Sequence, residues 1–325
     1  MTLPYRAPWW AGNAHIQTIL PALIPVSMPA YQRERWDTPD DDFIDLDWVN
    51  KNLLTQPNQR LIILFHGLEG SSKSTYAKTL MNACAKNGFT GVVVHWRSCS
   101  GTMNRQAVFY HSGFSGEIDW VLRRFATLYP EAARHAAGVS LGGNALLKWL
   151  GEQSEQAQGV IKSAVAICSP HDLKAGSIAL ANGFNQRVYM RNFLHTLKTK
   201  ALQKHNEHPH IAIDINLLRR AQNFNDFDNA ITAPLHGYRD AEDYWRRASS
   251  KPFLKTIAIP TLVLNALNDP FIPAHSLAKA KETSPAVQLE YLEHGGHVGF
   301  LYGRTRPDLN WMPKRVLQFF QNSNP

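Results

Sequence analysis

A chain of 325 residues, 44% hydrophobic and 18% charged, can build one large domain or two modest ones, which excludes a disordered or low-complexity polypeptide. Thirty-four Lys and Arg stand against 26 Asp and Glu, a formal charge of +8. The basic residues are scattered without a concentrated run, so a generic basic surface is expected rather than a nucleic-acid site; weak contact with an anionic membrane surface stays open. No stretch approaches the ~18–20 consecutive apolar residues of a transmembrane helix, and prolines occupy the place of a signal peptide's apolar region. Cys84, Cys99 and Cys168 are odd in number and widely spaced. Reduced thiols and a cytoplasmic location are the expectation.

Residues 1–30 carry Pro4, Pro8, Pro21, Pro25 and Pro29 and read as an irregular arm with one helical turn at 14–20. Strands follow at 32–38 and 43–50, separated by the turn Pro39-Asp40-Asp41-Asp42. Phe43, Leu46 and Trp48, interleaved with Asp45 and Asp47, predict a partly exposed antiparallel pair. The continuous apolar run 61–65 fits a strand buried on both faces. Helix 74–87, strand 91–94, helix 116–129, strand 136–139 and helix 144–151 come next. The buried-strand pattern returns at 163–168 and 261–266, and helix 272–283, strand 287–292 and helix 307–321 finish the chain. Strands alternating with helices predict a mostly parallel sheet of about eight strands, helices on both faces. From about 170 to 247 the alternation lapses into helical periodicities, notably 188–203 and 215–224. The reading is a helical cap inserted over the sheet edge where α/β proteins bind ligands.

The chemistry centres on Gly138-Val139-Ser140-Leu141-Gly142-Gly143, a G-x-S-x-G placed between a strand and a helix. A sharp turn there lifts the Ser140 hydroxyl clear of the sheet, and small neighbours relieve the crowding. His66-Gly67-Leu68 ends the first buried strand, so the Leu68 and Leu141 N–H groups are candidate donors of an oxyanion hole. Residues 67–74 also nearly match a phosphate loop, but Ser72 stands where a glycine is required and no later strand supplies the magnesium-binding Asp. Asp269, just past strand 261–266, is the acid candidate, with Asp240 and Asp243 as alternatives inside the insertion. His297, in Glu293-His294-Gly295-Gly296-His297, is the base candidate, just past strand 287–292, which is also read as buried, with His294 its competitor. The order Ser140, Asp269, His297, each after a separate strand, is the nucleophile–acid–base order of α/β-hydrolases. His205, His208 and His210 lack partners for a familiar metal site and read as a solvated loop. Cys99 has no histidine placed to make it a nucleophile. Arg97 to Cys99 are expected to border the pocket, and Trp9, Trp10, Phe184, Tyr189 and Phe193 are candidates to line an acyl site.

Three motifs together, the elbow around Ser140, His66-Gly67-Leu68-Glu69-Gly70 and Gly295-Gly296-His297-Val298-Gly299-Phe300, resemble the YheT-like group of bacterial esterases in the α/β-hydrolase superfamily. The segment from Pro8 to Thr18 resembles it too, so the likeness spans nearly the whole chain. It implies charge-relay roles for Ser140, Asp269 and His297. The loop Arg97-Ser98-Cys99-Ser100-Gly101 departs from the Arg-Gly type frequent in that group. The expected activity is carboxylic ester hydrolysis on a small acyl ester through an acyl-enzyme on Ser140, with no metal or organic cofactor. Transfer of the acyl group to an alcohol is the alternative, and a non-catalytic binding module on the same fold is a third reading.

Overall fold

The structure, a computed structural model, describes residues 3–323; the first two residues of the expected arm lie outside the described residues. The strands are β1 (Gln32–Asp37), β2 (Phe43–Val49), β3 (Arg60–Phe65), β4 (Thr90–Val94), β5 (Ala133–Val139), β6 (Ser163–Ile167), β7 (Thr261–Ala266) and β8 (Val287–Leu292). They form one sheet in the order β1-β2-β4-β3-β5-β6-β7-β8. Only β2 runs against its neighbours; from β4 to β8 every pairing is parallel.

The period-2 alternation of strand side chains divides the core into two layers. On one face Leu61, Ile63 and Phe65 of β3 pack with Ile118, Leu122 and Phe125 of α3 (Ser115–Leu128) and Leu146 and Trp149 of α4 (Leu141–Gln153). On the other, Ile62 and Leu64 meet Leu80 and Met81 of α2 (Thr75–Lys86) and Val316 and Phe320 of the C-terminal helix (Trp311–Asn322). The N-terminal arm carries helix α1 (Ala14–Leu23), started by Asn13, whose side chain accepts the His15 and Ile16 N–H groups.

Between β6 and β7 the described chain is helical. The main pieces are α5 (Leu173–Leu180), α6 (Arg191–Glu207, entered through a π turn at Gln186–Met190), α7 (Ile215–Arg220) and α8 (Ala241–Ala248). Asp172, Asp214 and Asp240 cap α5, α7 and α8 by accepting first-turn N–H groups.

Three expectations are corrected. Strand β2 is wholly buried, Asp45 and Asp47 included, because Arg35 and Arg33 clamp those carboxylates through paired hydrogen bonds of 2.7–2.9 Å. Strand β8 is a half-buried edge rather than a core strand. The helix expected at 272–283 is absent: only single turns at Ala274–Ser276 and Ala280–Glu282 form. There, groups from elsewhere claim the backbone. The Ala278 N–H donates to His171 Nδ1 (3.0 Å), and the Ala278 carbonyl accepts the Tyr291 hydroxyl (2.8 Å). Lys251 Nζ donates to the Ser276 carbonyl at 3.2 Å. A helix would need those same groups for itself.

Candidate active site

Ser140 sits between β5 and α4 at φ 53°, ψ −116°, a backbone state costly for a residue with a side chain. The turn is so tight that a Cβ on Gly138 would lie 2.5 Å from the Gly142 carbonyl oxygen, and one on Gly142 would lie 2.6 Å from that of His66. Only glycine allows strand, turn and helix to approach this closely. The Ser140 N–H donates to the Ile167 carbonyl (2.8 Å), and its carbonyl accepts the Asn144 N–H (3.0 Å), which locks the turn to β6 and α4.

The three residues singled out in sequence come together. Ser140 Oγ lies 3.0 Å from His297 Nε2, and His297 Nδ1 lies 2.8 Å from Asp269 Oδ2. The Asp269 side chain is fully buried, and its other oxygen accepts the Phe271 N–H at 2.8 Å. With Nδ1–H donating to the carboxylate, the Nε2 lone pair of His297 is left facing the serine. Phe271 covers the imidazole, ring centroids 4.2 Å apart.

The His297 loop is held through its main chain. Gly296 N–H donates to Asn268 Oδ1 (3.0 Å), His297 N–H to Thr18 Oγ1 (2.9 Å) and Val298 N–H to Cys168 Sγ (3.2 Å). Gln17, fully buried in α1, accepts the Leu301 N–H at 2.8 Å. Thr18, Gln17 and Cys168 escape sequence reasoning, since none carries a chemical signature of its own. Burial and the nearby Asp269 carboxylate push the Cys168 thiol well up, so it stays a neutral thiol.

The loop after β3 is pinned from both sides. Gly67 N–H donates to the Tyr76 hydroxyl (3.0 Å) and Glu69 N–H to the Tyr110 hydroxyl (2.7 Å). Leu68 N–H, between them, has no partner among the described residues, and Leu141, as the first residue of α4, has no intrahelical acceptor for its own. Both residues line one cavity with Ser140 and His297. His66 fixes the loop's start: Trp96 N–H donates to its Nε2 (3.1 Å), leaving Nδ1–H to donate to the Gly67 carbonyl (2.8 Å). Burial pushes the His66 pKa down to about 3, which keeps this neutral tautomer.

The cavity is walled by Leu173, Leu180, Phe193, Leu197, Phe224 and Phe227 from the helices between β6 and β7. A second groove also reaches Ser140 and His297, between α1 (Thr18 to Leu23) and Tyr189, Asn192 and Phe193. Of the aromatic candidates, Phe193 lines both spaces and Tyr189 the groove, while Phe184 is half exposed and Trp9 is 83% exposed.

Other candidates lie elsewhere. His294 is turned to Glu293, 3.8 Å away. Asp240 caps α8 and Asp243 pairs with Arg246 and Arg247. Arg97 is tied to Asp40, Asp42 and Glu117 and borders a small void beside Lys200, not the Ser140 cavity. Burial pushes the Cys99 thiol up to about 11. His208 Nε2–H donates to the Arg105 carbonyl (2.9 Å), and among the described residues the one grouping tight enough for a metal ion is Cys168, Asp269 and His297. There the hydrogen bonds already use the imidazole and carboxylate.

A strand order with β2 reversed and a serine turn after β5 defines the α/β-hydrolase class. The family model described as "alpha/beta hydrolase fold" matches residues 60–304, and the chain belongs to that family, in its YheT-like group. It is 39% identical over 308 residues to "Putative esterase YheT" of Escherichia coli (strain K12), covering 94% of this chain and 89% of that protein. It is 28% identical to "Phospholipase ABHD3" of Bos taurus over 99% of this chain and 79% of that one. Among solved structures, the esterase Pf2001 of Pyrococcus furiosus superimposes with a TM-score of 0.58 at 13% identity, covering 90% of this chain and 91% of that one; at that identity the likeness concerns the fold alone.

Proposed function

We propose that the chain is a serine carboxylic ester hydrolase that works through an acyl-enzyme on Ser140. The observation that carries this is the unbroken hydrogen-bond path from Ser140 Oγ through His297 to Asp269, at 3.0 and 2.8 Å. His297 takes the hydroxyl proton as Ser140 attacks the ester carbonyl, and Asp269 holds the imidazole and stabilises its charged form. The Leu68 and Leu141 N–H groups receive the tetrahedral oxyanion, each such donor contributing on the order of 10²–10³ in rate. His297 then returns the proton to the leaving alcohol and activates water to release the acid. These steps call on no metal or organic cofactor.

The cavity under the helical segment takes the acyl chain, and we assign residues 170–247 as a cap over a single catalytic domain, with the N-terminal arm as its strap. The groove along α1 takes the alcohol side. A relative named an esterase and another named a phospholipase support ester substrates. Three buried, unpaired cysteines support a reducing, cytoplasmic setting; among the described residues no helix is long and apolar enough to cross a membrane.

A panel of aryl esters graded in acyl length, run with and without an added alcohol, tests the reading. Acid release under both conditions is expected. A new ester formed in preference to acid would assign the chain to acyl transfer instead, and turnover unaffected by Ser140→Ala would end the proposal.

A further inference from the structure

The positive charge that looks scattered in sequence is gathered by the fold. Between residues 183 and 220 seven Lys and Arg stand against two acidic residues, a net five of the chain's eight formal charges. Lys200 and Lys204 turn inward, to Glu69 and to the Asn104 carbonyl. Glu207 is occupied by Lys204, and Asp214 caps α7. That leaves five: Arg187, Arg191 and Lys198 along one side of the π turn and α6, Arg219 beside them, its carbonyl accepting from Lys198 Nζ at 3.1 Å, and Arg220, whose Nε donates to the Asn216 carbonyl at 3.2 Å. Among the described residues none of these five pairs with a carboxylate, and all but the half-buried Lys198 are exposed.

The same surface carries exposed apolar side chains. Phe184 (48% exposed) and Val188 (38%) lie three residues before Arg187 and Arg191, so helical spacing makes them neighbours. Ile178 is 55% exposed one element earlier. The Phe184 ring meets His15 of α1 at 4.3 Å, and α1 adds Ile16 and the 71%-exposed Leu23, seven residues apart and hence on one side of that helix. These two banks, α1 and the start of α6, are the walls of the groove that reaches Ser140.

We propose that this rim is a docking surface for an anionic phospholipid bilayer, with Ile178, Val188, Ile16 and Leu23 entering the interface and Arg187, Arg191 and Lys198 meeting the headgroup phosphates. Apolar side chains interleaved with unpaired cations are the composition that an anionic membrane interface recognises. A purely apolar patch would fit a second protein equally well; the carboxylate-free basic stripe selects negative charge. Docked this way, the groove mouth faces the headgroup layer, where an ester of a membrane lipid is presented. That last consequence rests on the ester-hydrolase reading; the docking does not.

Co-sedimentation of the full chain with vesicles tests it, comparing phosphatidylcholine alone with equal parts phosphatidylcholine and phosphatidylglycerol. The protein is expected to bind the anionic vesicles only, and to be released by salt. The triple variant Arg187→Glu/Arg191→Glu/Lys198→Glu should bind about a hundredfold more weakly, since each juxtamembrane cation contributes about a fivefold factor. Val188→Asp should weaken binding further in the wild-type charge background. Hydrolysis of a short water-soluble ester, with far-ultraviolet circular dichroism, reports that each variant is folded; the milder Arg187→Gln/Arg191→Gln variant serves if charge reversal unfolds the chain. Equal binding to neutral and anionic vesicles, no binding to either, or wild-type binding by the folded charge variants would overturn the proposal. An absence of ester turnover would sink the hydrolase reading and leave the sedimentation result standing by itself.

Discussion

Thr18 accepts the main-chain N–H of His297 at 2.9 Å, a contact between residues 279 positions apart that ties the N-terminal arm to the loop carrying the proposed base. The threonine hydroxyl passes its own hydrogen to the Ala14 carbonyl (2.8 Å), so α1 acts as a rigid support rather than a loose tail. Next to it, Gln17 donates to the Ala11 carbonyl and accepts from Leu301, closing the arm onto the same loop.

Removing that support should misplace the imidazole without touching it. Thr18→Val is expected to lower kcat by roughly tenfold or more with KM little changed, because small displacements of a reacting group cost rate steeply. Thr18→Ser should restore most of it. Steady-state kinetics on one aryl ester would decide; a Thr18→Val enzyme with wild-type kcat removes the arm from the account.

The two histidines of the loop separate cleanly. His297→Ala is expected to lose on the order of 10⁴–10⁶ in turnover, as deletion of a triad member does. His294→Ala should stay within a few-fold of wild type, since that ring faces Glu293 and is 39% exposed in its side chain. An inactive His294 variant beside an active His297 variant would exchange their roles.

Asp228 gives a pH signature for the helical segment between β6 and β7. Its carboxyl is buried in the cavity wall, accepting from Thr232 Oγ1 (2.6 Å) and Trp245 Nε1 (2.8 Å), and burial raises its pKa from an ordinary 3.8 to about 6. A raised carboxyl pKa means the folded chain holds the proton more tightly. Its contribution is therefore fully present below 3.8 and is lost as pH climbs through 6. Asp228→Asn escapes that loss. Its stability relative to wild type should improve between pH 5 and 7 by an amount on the order of 1–3 kcal/mol. Denaturant melts at the two pH values check this, and a gap that does not change with pH contradicts it.

The elbow is the place where a single methyl should matter most. Gly142→Ala would press its Cβ against the main chain of Phe65 and His66, neither of which is a flexible side chain. A loss of about 2 kcal/mol or more in stability is expected, in the range of overpacked or strained positions. Thermal denaturation at the wild-type level would show that the strand–helix contact can relax.

The strands β3 to β7 were legible because each is a short apolar run ended by a turn, and the site because Ser140 and Asp269 stand just beyond two of them and His297 just beyond the edge strand β8. What escaped is tertiary. Residues 272–283 have the composition of a helix, yet His171, Tyr291 and Lys251 take the backbone groups that a helix would use. Asp45 and Asp47 alternate like solvent-facing residues, and are buried because arginines on the adjacent strand meet them. The clustering of Arg187, Arg191 and Lys198 is hidden for a related reason: no local run exists, and only the helix turn brings them together. Tyr76, Tyr110 and Thr18 act through hydroxyls on ordinary-looking segments, which no spacing rule marks.

The proposed nucleophilic role of Ser140 is open to a decisive check, reaction with a fluorophosphonate probe followed by intact-mass and peptide mapping. A single adduct is expected, on Ser140, lost in Ser140→Ala and formed far more slowly in His297→Ala. Folded protein that takes up no probe, or takes it up equally well after Ser140→Ala, would contradict it.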